Sequence, residues 1–209
     1  MGWEMCIRDR HDFCNGDLIA FYFDIRKDML HCDAPDDVAR RAARTVMDQT
    51  FRCLTAWVAP ILCFTADEAW LAYTGDATDS IHLHSYVALP EAWTDAALTS
   101  RWASIRAVRS HVTSALEAAR NDDVIGSSLQ ARVELALPAE DAALLAELDL
   151  ESLFITSAAQ ITAADAEEIS VVIHRADGGK CARCWKILPE ITEEDGICGR
   201  CDTVVNKAG

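Results

Sequence analysis

The residues predict a mainly α chain: an antiparallel helical bundle, then a small α+β junction, then a C-terminal module built on four cysteines. Three observations carry this. Apolar residues recur at helical spacing from about residue 15 to residue 120. The period changes to alternation after residue 128. Two Cys-x-x-Cys pairs lie near the end of the chain.

The elements follow in order. Met5 to Arg10 resembles the translation of a sequencing-library adapter, so residues 1–11 are read as non-native and set aside from the fold. Over residues 15–30, Leu18, Tyr22, Ile25 and Met29 recur at spacings of four, three and four, one face of a helix. A second helix follows Pro35, with Asp36 and Asp37 at its positive end and Ala39, Ala43, Val46, Thr50, Leu54 and Trp57 inward. Pro60 interrupts it. Thr65 with Glu68 has the spacing of a capping box opening a short helix through Tyr73, and residues 75–79 form a polar turn. A long helix over 97–120 turns Leu98, Trp102, Ile105, Val108, Val112, Ala115 and Ala119 inward. After a loop at 121–128, Val133, Leu135 and Leu137 alternate as a strand does. Residues 140–148 read as a helix, and 155–161 and 169–173 as two further strands.

Charge narrows the function classes. The chain has 209 residues and a net charge of −15, which opposes indiscriminate binding of polyanions. From Val133 to His174 there are nine acidic residues and no Lys or Arg, whereas from Arg175 onward six basic residues balance six acidic ones. A neutral tail with clustered cations on an acidic body can meet RNA; the acidic middle cannot. The longest apolar stretch is broken by Pro60 and lacks the roughly 20 apolar residues of a membrane span. The first dozen residues scatter charge where a secretory signal would be apolar.

Of nine cysteines, five (Cys6, Cys14, Cys32, Cys53, Cys63) are scattered and read as small apolar residues in a reducing compartment. The other four are Cys181-Ala182-Arg183-Cys184 and, thirteen residues on, Cys198-Gly199-Arg200-Cys201. Two such knuckles place four thiolates at the corners of a tetrahedron, which suits one structural Zn²⁺ with no open position for catalysis. A dithiol redox pair needs one Cys-x-x-Cys in a thioredoxin-like setting, and that setting is absent. Around the knuckles stand Lys180, Arg183, Lys186 and Arg200, with Trp185 after the first. A cation cluster beside an aromatic ring suits an RNA backbone and one stacked base. The same residues also suit a tryptophan packed over the metal with solvated cations, and the sequence leaves both open. His82 and His84 read as a solvent-facing strand or loop. No glycine-rich phosphate loop and no nucleophile motif occurs, so no catalytic residue is expected.

Four further blocks stand out: Asp17-Leu18-Ile19-Ala20-Phe21-Tyr22-Phe23-Asp24-Ile25-Arg26-Lys27-Asp28, Trp57-Val58-Ala59-Pro60-Ile61-Leu62, Phe64-Thr65-Ala66-Asp67-Glu68-Ala69-Trp70 and Ile125-Gly126-Ser127-Ser128-Leu129-Gln130-Ala131. By these and the two cysteine knuckles the chain from Asp12 onward resembles the C-terminal part of the bacterial isoleucine–tRNA ligase family, class I aminoacyl-tRNA synthetases. The resemblance implies an anticodon-binding bundle over 12–120, a junction over 121–175 and a zinc module over 176–209 that grips the anticodon arm. Its partners would be the tRNA for isoleucine and the N-terminal catalytic and editing domains of a parent chain. That parent would attach isoleucine to tRNA in the cytoplasm using ATP and Mg²⁺. The family's His-Ile-Gly-His and Lys-Met-Ser-Lys-Ser elements are missing, so this chain alone should be inactive.

A related finger closes DNA glycosylases that excise damaged bases. Those enzymes need an N-terminal proline nucleophile and a β-rich first domain, and the helical periodicity here fits neither. A zinc-stabilised interaction module without nucleic acid is the third reading, compatible with the acidic charge.

Overall fold

The computed structural model describes residues 3–207, with side chains from Arg8 onward. The chain forms two compact units, one of Met1–Ala34 with Ala96–Gly209, the other of Pro35–Asp95. The sequence-based boundaries at 120 and 175 both fall inside the first unit.

The first unit opens with α1 (Trp3–Asp12), continues through an eleven-residue π-helical stretch (Phe13–Phe23) and ends in α2 (Asp24–Cys32). The segment set aside at 1–11 is thus helical from Trp3; its first two residues and the side chains before Arg8 lie outside the described part. Leu18 and Ile25 are buried as expected. Phe21, which the predicted spacing skips, packs edge-on against Trp102 at 5.9 Å.

The long helix α5 (Ala96–Asn121) buries Ile105, Val108, Val112, Leu116 and Ala119, a 3-4-4-3 spacing that draws one stripe down the helix. Leu98, expected inward, is 48% exposed because the buried stripe begins about two turns later, at Ile105. The stripe faces a three-stranded sheet of β1 (Ala131–Ala136), β2 (Ala158–Ala163) and β3 (Ser170–Arg175), in the order β2-β1-β3. The central strand pairs parallel with β2 and antiparallel with β3. Its alternation is the one the sequence shows: Ala131, Val133 and Leu135, with Leu137 just beyond, have no exposed surface. A parallel pair needs a crossover, made here by α6 (Ala139–Leu145) and α7 (Leu150–Phe154). Leu145 and Phe154, each 1% exposed, close the core.

The strand expected at 155–161 starts three residues later. Asp149 caps α7 by accepting from the Ser152 N–H at 3.0 Å, and Ile155 ends it in the left-handed conformation at φ 59°. A five-residue helix is too short to show a period, so sequence alone passes over it.

The second unit holds α3 (Val38–Val58) and α4 (Cys63–Thr74), separated at Pro60. Asp37 caps α3, accepting from the Arg40 N–H at 2.8 Å. The Thr65–Glu68 capping box does not form. α4 begins at Cys63 after Leu62 with no side-chain cap, and Thr65 lies inside its first turn. Asp67 instead accepts from the Ser80 hydroxyl at 2.7 Å and the Ile81 N–H at 3.0 Å, tying down the turn beyond α4. Gly75, at φ 71°, supplies the left-handed cap that ends α4. The core is small: Ala56, Ala59, Ala66, Trp70 and Ile81, with Phe51 and Val58 against it. Of the predicted inward face of α3, Ala43 is buried but Val46 and Trp57 are exposed, while Cys53, Thr55 and Ala56 are buried. His82 and His84 lie at a 3₁₀ turn, where His84 packs against Trp70 at 4.8 Å and pairs with Asp79.

Leu135→Ala empties a fully buried site on the central strand and should cost about 2–5 kcal/mol. Val172→Ala, at a 48% exposed site on the adjacent strand, should change stability by no more than about 0.5 kcal/mol. Urea unfolding followed by the Trp102 environment measures both.

Candidate metal centre and its clasp

Two short elements bring the cysteines together. β4 (Gly179–Lys180) and β5 (Ile187–Leu188) form a hairpin whose turn carries Cys181 and Cys184. Gly178 precedes it at φ 112°, and a Cβ there would lie 2.1 Å from the Leu188 carbonyl oxygen, so only glycine lets the hairpin close. Cys198 stands just ahead of α8 (Gly199–Lys207), and Cys201 lies in that helix's first turn. All four thiols are buried with their sulfurs within 4.8 Å of one another. The Cys184 and Cys198 Sγ atoms are 3.8 Å apart. Tetrahedral zinc with Zn–S bonds of about 2.3 Å spaces its sulfurs by about 3.8 Å.

The electrostatics call for a cation. Burial opposes ionisation of Cys181, but the backbone N–H groups of Cys184, Cys198 and Arg183 outweigh it and draw the thiol down to about 6. Burial pushes Cys184 and Cys198 up, and neighbouring thiolates add to the rise at Cys184. Cys181 therefore ionises readily while Cys184 and Cys198 resist. A soft divalent cation removes that conflict, because each thiolate is then paired. The donor set thus fits zinc, and four protein ligands leave no position for a reacting water.

Three of the four cations predicted to face RNA have partners within the chain. Arg183 and Arg200 hold the same position in their respective knuckles, and both reach the end of α2. Arg183 donates to the carbonyl oxygens of Cys32 at 2.6 Å and His31 at 3.2 Å, two last-turn acceptors that a helix leaves unsatisfied. Arg200 forms a two-pronged pair with Asp28 at 2.6 and 2.8 Å and approaches Asp33 at 3.4 Å. Lys186 pairs with Glu151 on α7 at 3.0 Å. Lys180 and Trp185 lie exposed side by side: Trp185 is 59% exposed and the Lys180 Nζ lies 5.4 Å from its ring centroid. Trp185 stands outside the apolar cluster around the cysteines, on backbone at φ 67°.

That cluster contains a fifth cysteine. Cys32, read from sequence as a bland apolar residue, is 4% exposed and packs with Cys181, Cys184, Cys198 and Cys201, its Sγ 3.9 Å from the Arg183 carbonyl oxygen. Burial, then the Asp28 charge, pushes its thiol up to about 11. Nothing in the sequence marks Cys32, Asp28, Asp33 or Glu151 as partners of the tail, since they lie far away along the chain.

The fold and this centre define a class. Residues 6–135 match the model of the anticodon-binding domain of tRNA ligase, and the chain belongs to that family. Residues 178–204 match a zinc finger found in FPG and IleRS. The curated relatives are isoleucine–tRNA ligases. That of Gluconobacter oxydans is 49% identical over 201 residues, covering 94% of this chain and 21% of that protein. Those of Zymomonas mobilis and Ruegeria pomeroyi are 43% and 46% identical, again over 21% of their length. The chain therefore spans about a fifth of the length of the curated relatives it matches.

The clasp makes a pH-dependent contribution to stability. Burial raises the Asp28 carboxyl, but hydrogen bonding and charge from Arg200, with the Lys186 charge, hold it below the ordinary carboxylate range. A depressed carboxylate stabilises the fold above its unfolded pKa and loses that contribution as pH falls through the folded one. Asp28→Asn should flatten the acid limb of the stability curve. A double-mutant cycle with Arg200→Gln should return a coupling of about 1–2 kcal/mol at neutral pH, measured by denaturant unfolding.

Proposed function

We propose that this chain is the anticodon-arm-binding part of an isoleucine–tRNA ligase, with one structural Zn²⁺ held by Cys181, Cys184, Cys198 and Cys201. The observation that carries the reading is the presence, in one chain, of an anticodon-binding domain and the finger shared with IleRS. The DNA glycosylase alternative is not favoured, because its finger would have to follow a β-rich domain and residues 6–135 are predominantly helical.

The bundle, the sheet junction over 121–175 and the zinc module divide the work. The bundle presents the surface for the anticodon arm, and the junction carries the knuckles. When bound, the metal supplies the charge that lets four buried thiolates coexist. Arg183 and Arg200 seat the module on α2, and Lys186 on α7, so their effect on RNA is through position. Lys180 and Trp185 are the module's RNA contacts, the ring stacking on a base and the ammonium meeting a phosphate. Activation of isoleucine with ATP and Mg²⁺ belongs to the parent enzyme beyond this chain. Among the described residues no helix is long and apolar enough to cross a membrane.

Metal analysis should find one zinc per chain, and Cys184→Ser should lower that occupancy. Because thiolates are the ligands, chelation or acidification should unfold the tail before the helices. The tRNA for isoleucine should bind with a strong dependence on salt. Lys180→Ala should reduce the slope of log affinity against log salt by roughly one unit. Trp185→Ala should cost about 1–3 kcal/mol of affinity with zinc content unchanged. Full affinity in both variants would sink the assignment of these contacts, and absence of any tRNA binding would sink the function.

A further inference from the structure

Cys32 is the one thiol of the buried cluster that stands outside the ligand set. Four protein ligands complete a tetrahedral zinc site, and Cys181, Cys184, Cys198 and Cys201 supply them. Cys32 ends α2, far upstream in the chain, and is 4% exposed in the same cluster. Neither the metal nor the arginine clasp uses its sulfur. A thiol at this place brings a fifth oxidisable group against four others.

Cys32 and the first knuckle hold each other in both directions. The Cys32 thiol donates weakly to the Arg183 carbonyl oxygen at 3.9 Å, the carbonyl whose peptide bond leads into Cys184. The Arg183 guanidinium donates back to the Cys32 carbonyl oxygen at 2.6 Å. One turn earlier on α2, Asp28 accepts the two-pronged pair from Arg200 of the second knuckle. These contacts keep the Cys32 side chain against the peptide entering Cys184.

A cavity of about 570 Å³ reaches the same contact. It opens between α2, the turn at 127–130, α7 and the first knuckle, with Ile25, Leu129 and Ile155 as apolar wall. Among the described residues, two of the five clustered thiols line it, Cys32 and Cys184. Oxidation of a cysteine follows thiolate character and access. Hydrogen peroxide is small and uncharged, so apolar walls do not bar it, and the cavity delivers it to Cys184 beside Cys32.

We propose that Cys32 and Cys184 form a peroxide-responsive dithiol, in which Cys32 resolves an oxidised Cys184 and the resulting disulfide joins the module to α2. The inference rests on the four-cysteine zinc reading and goes beyond it by giving the fifth thiol a reaction. The Cys184 sulfur, a thiolate when it serves as a ligand, attacks one peroxide oxygen. An S–O bond forms, the O–O bond breaks and hydroxide leaves, which makes Cys184 a sulfenic acid. The Cys32 sulfur then attacks the Cys184 sulfur. An S–S bond forms, the S–O bond breaks, and the departing hydroxide takes the Cys32 proton as water. The two sulfurs lose two electrons in all, and the peroxide gains them. Cys198 also lies near, its Sγ 3.8 Å from that of Cys184, but it is occupied as a ligand whereas Cys32 is not. With Cys184 lost to the disulfide the site keeps three of its four ligands and releases its metal, while the new bond fastens the module to α2.

The test treats the reduced, zinc-loaded full chain with hydrogen peroxide and follows released zinc with a chromophoric chelator. Remaining thiols are blocked with N-ethylmaleimide, and tryptic peptides are mapped by mass spectrometry. Trypsin separates the four ligands from one another, because Arg183, Lys186 and Arg200 lie between them. A peptide pair joining Cys32 to Cys184 should appear in step with zinc release, and dithiothreitol with added zinc should reverse both. Cys32→Ser should bind one zinc and lose that pair. Its recovery of zinc after reduction should fall several-fold, because an unresolved Cys184 passes on to the irreversible sulfinic acid. The wild-type map decides even if the variant does not fold. Zinc release with Cys32 still open to N-ethylmaleimide, or disulfides confined to the four ligands, overturns the dithiol and leaves the zinc reading standing. A reduced chain that binds no zinc overturns the zinc reading, and the dithiol with it.

Discussion

Four thiols buried within 4.8 Å of one another cannot all carry charge unless a cation stands among them, and the C-terminal module is organised around that constraint. The hairpin of β4 and β5 and the start of α8 hold little apolar material of their own. Their cluster is the cysteines themselves, with Ile191, Leu188 and the incoming Cys32. A core this thin needs the metal's coordination energy to stay ordered. Once the knuckles are closed, the second variable residue of each becomes a fixed arm. Arg183 and Arg200 then reach the same helix end, one satisfying orphan carbonyls and the other pairing with carboxylates. Those two arms tie the module to the end of α2.

That arrangement changes how the charge of the tail is to be understood. Four cations crowd the cysteines, and a count of charge makes them an RNA-binding cluster. Three of them are already committed: Arg183 to backbone, Arg200 to Asp28 and Asp33, Lys186 to Glu151. The charges of Arg200 and Lys186 neutralise acid that would otherwise repel a polyanion approaching the module. What stays outward is a lysine over an exposed indole, the pair that the proposed function assigns to RNA. An acidic protein can hold RNA in this way because the field is corrected locally, where the Debye length confines it to about 8–10 Å.

The family blocks take on a structural meaning in the same frame. Asp24 to Asp28 belongs to the helix that the arginines grip, and Ser127 to Leu129 is the turn facing it across the cavity. Neither stretch contains a recognisable chemical motif. Their shared location comes from α5 and the central strand β1, whose fully buried residues fix the distance between the start of the first unit and its end.

The sequence by itself determined three features that rest on local period and local spacing. The alternation at Val133, Leu135 and Leu137 became the buried face of β1, the stripe from Ile105 to Ala119 became the core of α5, and the two knuckles became one four-sulfur cluster. Each is a pattern whose members lie within one helix, one strand or two short knuckles separated by thirteen residues, so near neighbours along the chain suffice to form it. Tertiary structure decided what required distant partners. Thr65 and Glu68 have the right spacing for a cap, but Asp67 found Ser80 and Ile81, and the helix started elsewhere. Ile155 looked like the first residue of a strand, and the packing of Phe154 and the cap at Asp149 made it the last of a helix. Arg183 and Arg200 looked free because their acceptors lie more than 150 residues upstream. Only the folded chain brings those carbonyls and carboxylates within reach, since a charge in sequence carries no record of which opposite charge will be its neighbour.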